Sequence, residues 1–393
     1  MKVSCLHENL ARGLGLVGRA VAARSTLPVL GNVLLATEDS RLRLSATNLE
    51  LGISCWIGAK VHSEGSTTVP AKTFIDLVGT LPKDQVDLEL TERTQTLQVS
   101  CAQFKNDIKC IDSEEFPILP SAGDGQSLDL NVRDLRSMIG QVVFAAATDD
   151  ARPVLTGVEV KIDESEVSFA AADGFRLALC NSALSSTNDQ ALSAIVPARG
   201  LAELSRIIGD RDDPVTLTLP VGRGQAIFRA KDIELVSQLV EGNFPDYQQL
   251  IPESYSTRSV LGTDEFLNAC RAAQVFAREA AYAARLKISP GDESGPGSVE
   301  VSANAAETGS NESVVDATVE GDAVEIGFNV RYLTDVLQVI DTPNVALETN
   351  GDSSPGVIRP VGRDDFVSVI MPCLLYTSPS PRDATLSRMP SSA

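Results

Sequence analysis

The chain contains 393 residues, 43% hydrophobic and 22% charged, which is enough for about two to four globular domains. Its 53 acidic and 33 basic residues give a formal net charge of −20, which argues against nucleic-acid binding through overall positive charge. A local basic surface on an acidic protein is still compatible with this balance. Only two histidines are present, which leaves little room for a histidine-based zinc site or a Ser/His/Asp triad.

The seven cysteines lie mostly in apolar, strand-like stretches, and none belongs to a C-x-x-C pair. We interpret them as buried free thiols of a protein in a reducing compartment. The first residues lack the pattern of a signal peptide, and no run of about 18 apolar residues occurs. We therefore expect a cytoplasmic protein with no membrane span, no metal and no cofactor.

Short motifs recur along the chain at nearly constant spacing. Residues 27–30 (LPVL) return as residues 152–155 (RPVL), and residues 69–72 (VPAK) return as residues 196–199 (VPAR). A third, weaker copy includes residues 328–331 (FNVR). A period of this length indicates three whole domains of one fold rather than a solenoid. The predicted domains are residues 1–125, 126–253 and 254–372.

Each repeat is predicted to contain a strand, a helix, several alternating strands, a second helix and further strands. The apolar stripes of the two helices in the first repeat are Leu10, Leu14, Val17 and Val21, and then Phe74, Leu77, Val78 and Leu81. Pro70 lies where a first-turn proline is tolerated, and residues 41–45 alternate with period two. The predicted fold class is therefore α+β, with two helices packed on antiparallel sheets in each domain.

Cations recur on the predicted polar faces of these helices in spite of the acidic excess. At 100° per residue, Arg12 and Arg19 lie opposite the apolar stripe of the first helix. Lys72, Arg199 and Arg331 share one position in the second helices of the three repeats. Such side chains can simply be solvated, and that alternative stays open. If the six helices line one surface, their cations form a basic track that contacts phosphates without reading bases.

Two alternatives to a protein that contacts nucleic-acid phosphates remain open, an enzyme and a protein scaffold. Residues 13–18 match G-x-G-x-x-G, so a nicotinamide-dependent enzyme that uses Gly13, Gly15 and Gly18 is conceivable. That motif requires a strand directly before its glycines, whereas a helix is predicted there, and the second repeat keeps only Gly140. The other alternative is an acidic three-repeat protein that only scaffolds other proteins.

Six motifs distributed over the three repeats form one set. They are residues 24–32 (RSTLPVLGN), 68–72 (TVPAK), 172–177 (ADGFRL), 244–247 (FPDY), 328–332 (FNVRY) and 369–372 (VIMP). Together they resemble the bacterial beta sliding clamps, the beta subunits of DNA polymerase III, over essentially residues 1–372. The resemblance implies a non-catalytic, head-to-tail homodimeric ring, and a heterologous contact between like units can close into a ring.

The resemblance also implies partners and contact residues. The ring would slide on duplex DNA without sequence preference and would tether the replicative DNA polymerase, with the clamp loader and other clamp-binding-motif proteins as further partners. The predicted DNA contacts are Arg24, Lys72, Arg136, Arg152, Arg199, Arg206, Arg271, Arg278 and Arg331. The implied dimer contact joins Gln103, Asn106 and Ile108 of one chain to Gln274 and Val275 of the other. Asn106 stands where the family often has a large apolar side chain, which predicts a weaker dimer.

The same resemblance implies a cleft between the second and third domains that accepts a short hydrophobic peptide. Its residues would be Leu155, Ala172, Gly174, Phe175, Arg176, Leu177, Pro245, Gln249, Leu250, Asn329, Tyr332, Ser354, Val369, Met371 and Pro372. Ala172 and Phe175 depart from the commoner pattern of the family. The alternative that the apolar residues belong to the core fits Leu177 and Val369 best.

Residues 373–393 read CLLYTSPSPRDATLSRMPSSA, which is rich in Ser, Pro and Arg and has neither a helical nor a strand period. A back-translation of residues 373–383 and 387–393 resembles the two ends of a transposon adapter used for sequencing libraries. We predict that this segment is translated adapter and exclude it from the fold. A disordered natural tail is the alternative.

Overall fold

Helices and antiparallel strands follow one another in the same order in three successive stretches of the chain. The computed structural model describes all residues except 23, 121–124, 150, 185–190, 211–212, 221, 223, 292–294 and 374–393. In the described residues each stretch has eight strands and two helices, and the helices follow its first and fifth strands. This order confirms the predicted architecture of three α+β repeats.

The described residues contain one pair of α-helices per repeat. The helices are α1 (His7–Val17), α2 (Ala71–Thr80), α3 (Val132–Val142), α4 (Ala198–Ile208), α5 (Thr263–Ala277) and α6 (Val330–Leu337). Within each repeat the two helices pack side by side. Each helix buries one apolar face, as the periodicity predicts. None of these helices has the length and apolar composition needed to cross a membrane.

The predicted stripes extend slightly too far in the first repeat. Leu10, Leu14 and Val17 are buried on α1, but Val21 lies beyond the helix in extended backbone, after a 3-10 turn. On α2, Phe74 and Val78 are buried, Leu77 is only partly buried and Leu81 follows the last helical residue. Periodicity therefore identified both helices and placed the end of the first one a turn too late.

The glycines of the G-x-G-x-x-G pattern are not in a strand-to-helix turn. Gly13 and Gly15 lie inside α1, and Gly18 begins the 3-10 turn that follows it. A Cβ atom at Gly13 would lie 2.5 Å from Leu44 Cδ1, so the missing side chain lets α1 pack closely on the neighbouring strand. Gly13 therefore serves helix packing, and the geometry of a dinucleotide site is missing at this position.

The strands of the first two repeats form most of one compact unit, Met1–Phe169 with Asn181–Phe244. The first repeat contains β1 (Lys2–Leu6), β2 (Asn32–Glu38), β3 (Arg41–Thr47), β4 (Leu51–Ser63), β5 (Ser66–Pro70), β6 (Gln85–Thr91), β7 (Thr96–Cys101) and β8 (Phe104–Lys109). The second contains β9 (Gly125–Leu130), β10 (Gly157–Ile162), β11 (Glu166–Ala172), β12 (Arg176–Ala183), β13 (Leu192–Pro197), β14 (Val215–Pro220), β15 (Gln225–Ala230) and β16 (Ile233–Gln238).

One long strand joins these two repeats. The main sheet of the first unit runs β8-β7-β6-β1-β4-β16-β15-β14-β9. The second half of β4 pairs with β1, and its first half pairs with β16, for example Cys55 with Ile233. Because the ladder continues from β4 of the first repeat to β16 of the second, the two repeats form one compact unit.

The other compact unit comprises Ala170–Cys180 and the chain from Pro245 onwards. Its third-repeat strands are β17 (Thr257–Gly262), β18 (Ala283–Ser289), β19 (Gly297–Ala305), β20 (Gly309–Gly321), β21 (Val324–Asn329), β22 (Asn344–Thr349), β23 (Gly356–Pro360) and β24 (Phe366–Ile370). The sheet order is β12-β24-β23-β22-β17-β20-β19-β18-β21, with residues 176–180 of β12 pairing antiparallel with β24. A stretch of the second repeat thus completes the sheet of the third.

The cysteines are free thiols, and five of the seven are buried. Burial raises the pKa of Cys5 and of Cys180 to about 12. At neutral pH these thiols are protonated and therefore poor nucleophiles and poor metal ligands. The prediction of buried free thiols is confirmed for these five positions.

Candidate functional site

A cation occupies the second residue of the second helix in all three repeats. Lys72 on α2, Arg199 on α4 and Arg331 on α6 are exposed at this position. The shared position predicted from the sequence is confirmed. A cation in the first turn is disfavoured by the helix dipole, so helix stability does not explain this placement. A helix N-terminus beside a cation is, however, suited to an anion such as phosphate.

The backbone at these helix starts differs between the repeats. Pro70 and Pro197 precede α2 and α4, and neither helix has a side-chain cap. At α6, Asn329 Oδ1 accepts a hydrogen bond from Arg331 N at 3.0 Å, and the Arg331 guanidinium lies 4.9 Å from the centre of the Tyr282 ring. First-turn amides of α2 and α4 therefore have no side-chain acceptor, whereas α6 is capped.

Several cations near the first helices already have carboxylate partners. Arg12 Nη2 on α1 lies 3.3 Å from Asp232 Oδ2. Arg136 on α3 is half-buried and forms an ion pair with Asp210. These arginines lie on the polar faces, as predicted, but their guanidiniums are not free.

The remaining predicted DNA contacts lie on loops and helix ends. Arg24 is exposed after the first helix, and Arg152 is exposed just before the 3-10 turn Pro153–Thr156. Arg206 is exposed in the last turn of α4. Arg271 is exposed on α5, whereas Arg278 lies on a 3-10 turn after α5, so the two are not on one continuous helix.

In the second unit, Arg176 is the centre of a polar cluster. Its Nε donates to Asp173 Oδ2 at 3.0 Å, and its Nη1 donates to Asp335 Oδ2 at 2.6 Å. Its guanidinium also lies 4.4 Å from the centre of the Tyr332 ring. The Arg176 side chain is only 11% exposed, so these contacts fix the direction of a largely desolvated cation.

The turn that presents this arginine is determined by its sequence. Asp173 Oδ1 accepts hydrogen bonds from the backbone N–H of Phe175 at 2.8 Å and of Arg176 at 3.0 Å. Gly174 has φ of +92°, a conformation that glycine adopts without steric cost. This turn holds Phe175 outward, and the Phe175 carbonyl accepts a hydrogen bond from Met371 N at 2.8 Å.

Tyr332 shares the α6 face with Asp335, three residues later. Burial, followed by the nearby Asp173 carboxylate, raises the pKa of Tyr332, and the positive charge of Arg176 offsets part of the increase. The phenol is therefore neutral at physiological pH and can donate a hydrogen bond. Sequence reasoning missed Asp335, although its helical spacing from Tyr332 was a usable signal.

The predicted apolar cleft residues of this unit fall into two groups. Phe175, Leu250 and Met371 are between 41% and 58% exposed, which is unusual for large apolar side chains. Leu177 and Val369 are 2% and 3% exposed and face each other in the β12–β24 ladder. Their burial agrees with the alternative that places them in the core, and their part in the cleft stays a prediction.

The other predicted cleft residues are placed as follows. Pro245 and Gln249 are exposed, and Gln249 Nε2 donates to Asp246 Oδ2 at 3.1 Å. Ser354 lies in the loop before β23, where its Oγ donates to Asn350 O at 3.3 Å. Ala172 is buried at the end of β11, and Pro372 is partly buried after β24. Leu155 is buried in the first unit, in the turn that follows Arg152.

The predicted dimer residues lie on one edge strand, on the turn before it and on a helix. β8 is the edge strand of its sheet; Gln103 lies in the turn before it, Asn106 is half-buried and Ile108 is buried. Within the described part of the chain, the buried Nδ2 of Asn106 has no hydrogen-bond partner. On α5, Gln274 is half-buried and Val275 is exposed. Sequence reasoning missed Phe104, an exposed apolar side chain on β8.

Family models match the chain in three consecutive stretches. They describe the N-terminal, central and C-terminal domains of the DNA polymerase III beta subunit and match residues 1–120, 129–246 and 248–374. The beta sliding clamp of Synechococcus elongatus is 34% identical over 381 residues, covering 95% of this chain and all of that protein. The beta sliding clamp of Staphylococcus aureus is 31% identical, covering 91% of this chain and 95% of that protein.

Solved structures of sliding clamps and beta subunits have the same fold as this chain. The DNA polymerase sliding clamp of Bacillus subtilis has a TM-score of 0.90 at 28% identity, covering 96% of this chain and all of that one. The DNA polymerase III beta subunit of Pseudomonas aeruginosa has a TM-score of 0.87 at 30% identity, covering 95% of this chain and all of that one. The similarity therefore extends over all three repeats and both compact units.

Proposed function

The chain belongs to the family of DNA polymerase III beta subunits, the bacterial beta sliding clamps, and we propose that its cationic helices contact duplex DNA inside a ring. It acts in DNA replication as a processivity factor that tethers the replicative polymerase, and it is not an enzyme. The clamp loader and other clamp-binding-motif proteins are its further partners. We place it in the cytoplasm, where replication takes place in bacteria.

The observation that carries this proposal is the repeated cation at the start of α2, α4 and α6. Each of these helices presents an exposed cation at its second position, Lys72, Arg199 or Arg331, and a contact of such a cation with phosphate does not read bases. Contacts restricted to phosphate permit sliding, because the binding energy is the same at every position along the duplex. The acidic remainder of the protein repels DNA from other surfaces.

The test is the salt dependence of duplex binding after removal of all three cations. Lys72→Gln, Arg199→Gln and Arg331→Gln together should flatten the slope of log affinity against log salt by about 0.9 per lost phosphate contact. The matched control carries Lys60→Gln, Arg93→Gln and Lys287→Gln, which remove the same charge from exposed strands and a turn away from the six helices. Equal flattening by the control would contradict the proposal, and so would an effect confined to certain base sequences.

We infer that a short peptide of the partner proteins binds the surface formed by Phe175, Arg176, Tyr332 and Met371. The exposed apolar side chains would be buried against the peptide, which favours binding. The fixed guanidinium and the neutral phenol would form hydrogen bonds that determine the position of the peptide on the surface. Burying two large apolar side chains contributes roughly 3–6 kcal/mol before ordering costs, so micromolar affinity is expected. Met371→Lys should abolish binding of a peptide that ends in Leu/Phe, as measured by calorimetry. Unchanged affinity would place the peptide elsewhere.

We infer that two copies pair head to tail through the β8 edge of one and the α5 surface of the other. Phe104 and Val275 are both more than half exposed, and the stretch 309–316 of β20 has a ladder partner on only one side in the described residues. An exposed strand edge with apolar side chains is suited to pairing with another chain. A scattering mass of one chain at micromolar concentration would contradict the dimer, and Asn106 should weaken it.

We propose domain bounds of 1–125, 126–253 and 254–372. Their support is the repeated order of eight strands and two helices, with β9 and β17 beginning close to the two proposed boundaries. The adapter hypothesis concerns residues 373–393, of which 374–393 lie outside the described residues. Cys373 lies inside them, and its N–H donates to Gly327 O at 2.8 Å.

A further inference from the structure

One carboxylate in the first unit binds two of the cations on its helix surface. Glu203 Oε2 lies 3.1 Å from Arg19 Nη1, and Glu203 Oε1 lies 2.7 Å from Arg206 Nη1. Each carboxylate oxygen thus has its own guanidinium. The Glu203 side chain is 14% exposed, whereas both arginines are far more exposed, so the anion lies beneath the cations.

The three residues come from two repeats. Arg19 lies on the 3-10 turn that follows α1, in the first repeat. Glu203 and Arg206 lie three residues apart on α4, in the second repeat, and Arg206 is in the last turn of that helix. Arg199 begins the same helix and forms no ion pair with a described residue. One helix therefore carries a paired cation near its end and an unpaired cation at its start.

We propose that Glu203 competes with DNA phosphate for Arg19 and Arg206 and thereby lowers the affinity of the ring for duplex DNA. The inference rests on the proposed function, because it assumes that these helices face DNA. Glu203 contacts each arginine through its Nη1 atom, so the carboxylate offsets positive charge that a phosphate would otherwise meet there. A cation neutralised by the protein contributes less counterion release on binding. The carboxylate therefore keeps contact with DNA weak, as sliding requires.

A purely structural role for Glu203 makes the opposite prediction. In that case the two ion pairs would only connect the first repeat to the second, and loss of the carboxylate would lower stability without changing DNA binding. Both arginines are exposed and stay hydrated when the carboxylate is neutralised, so we expect Glu203→Gln to fold. The unfolding temperature of the variant separates this role from the proposed one.

The first experiment compares the wild-type chain with Glu203→Gln by fluorescence anisotropy on a labelled duplex. Release of two arginines should steepen the salt slope by up to about 1.8, so the affinity ratio of variant to wild type grows about tenfold between about 200 and 50 mM salt. The matched control is Glu166→Gln, which removes the same charge from an exposed position on β11. Equal slopes for the two variants would overturn the proposal.

The second experiment begins in the wild-type background, and that part does not depend on the stability of Glu203→Gln. In the wild-type background Arg206→Gln should flatten the slope by less than half as much as Arg199→Gln, because Arg206 is already neutralised. In the Glu203→Gln background the two substitutions should become equivalent. Equal effects in the wild-type background would overturn the inference alone. Absence of duplex binding by the wild-type chain at about 50 mM salt would overturn the proposed function as well.

Discussion

The two units differ in how many of their helix cations already have carboxylate partners among the described residues. In the first unit, Arg12, Arg136 and Arg206 each form an ion pair with an acidic side chain. In the second unit, Arg271 and Arg278 have no such partner in the described residues, and Arg331 stacks on an aromatic ring. Equivalent helices in repeats of one fold can therefore present very different amounts of available positive charge.

This difference follows from the neighbours of each helix and not from the helices themselves. Asp232 lies in the turn between β15 and β16, and Asp210 follows α4, so acidic residues of the second repeat reach the first helices of the same unit. Net charge on a helix face is consequently a poor measure of its affinity for phosphate. What counts is the number of cations that DNA can bind without displacing a carboxylate.

The largest effect should come from neutralising the second unit. Arg271→Gln, Arg278→Gln and Arg331→Gln together should flatten the salt slope of duplex binding by about 2.7, since each cation is available to one phosphate. Neutralising whole ion pairs of the first unit, Arg12→Gln with Asp232→Asn, should leave the slope nearly unchanged. Anisotropy titrations across salt concentrations measure both. If the double variant Arg12→Gln with Asp232→Asn flattened the slope as much as the loss of one cation of the second unit, the difference between the two units would be contradicted.

The ion pairs of the helix surfaces are exposed to solvent, whereas the ion pair of Arg176 is largely desolvated. Asp335→Asn removes the charge that holds Arg176 Nη1 at 2.6 Å, so the guanidinium should lose its fixed direction. We expect peptide affinity to fall roughly tenfold, corresponding to about 1.5 kcal/mol for a hydrogen bond to a charged group. Calorimetry with the matched control Asp352→Asn, an exposed carboxylate before β23, should show no change. Equal losses in both variants would indicate a general charge effect.

Features of this site that depend on residues close together in the sequence were predicted, and those that depend on residues far apart in the sequence were not. The helix starts at Lys72, Arg199 and Arg331 were predicted, because repeats and periodicity are local signals. The partner of Arg12 lies 220 residues away, and no spacing rule relates the two. Pairing across β12 and β24 likewise buried Leu177 and Val369, which an aligned motif alone could not distinguish from surface residues.

A smaller effect is expected from Glu234, a buried carboxylate of the first unit that forms no ion pair with a described residue. Burial raises the pKa of Glu234 above its ordinary value of 4.5, and the charges of Arg229 and Arg43 offset part of the increase. Because the folded state binds this proton more tightly than the unfolded state, stability falls as the pH rises above 4.5. Glu234→Gln should therefore raise the unfolding temperature at neutral pH by on the order of 2 °C.

The difference in unfolding temperature between Glu234→Gln and the wild type should depend on pH, and this dependence is the control. Below pH 4.5 the wild-type carboxyl is protonated in both states, so the unfolding temperatures of Glu234→Gln and the wild type should converge. Calorimetric scans from acidic to neutral pH give the comparison, with the exposed Glu166→Gln as the matched variant. A constant difference at all pH values would mean that Gln changes packing rather than charge.

The smallest effect is expected from removing residues 374–393, which lie outside the described residues. This segment carries Arg382, Arg388 and Asp383, so it could add at most about one unit of salt slope to the values compared above. If it is translated adapter, deletion after Cys373 should leave the slope, the peptide affinity and the unfolding temperature unchanged. The gene's nucleotide sequence provides an independent measurement, because an adapter fixes the synonymous codon positions as well as the amino acids. Ordinary codon usage over this stretch would contradict the adapter hypothesis, and a changed slope would assign the tail a share of the DNA contact.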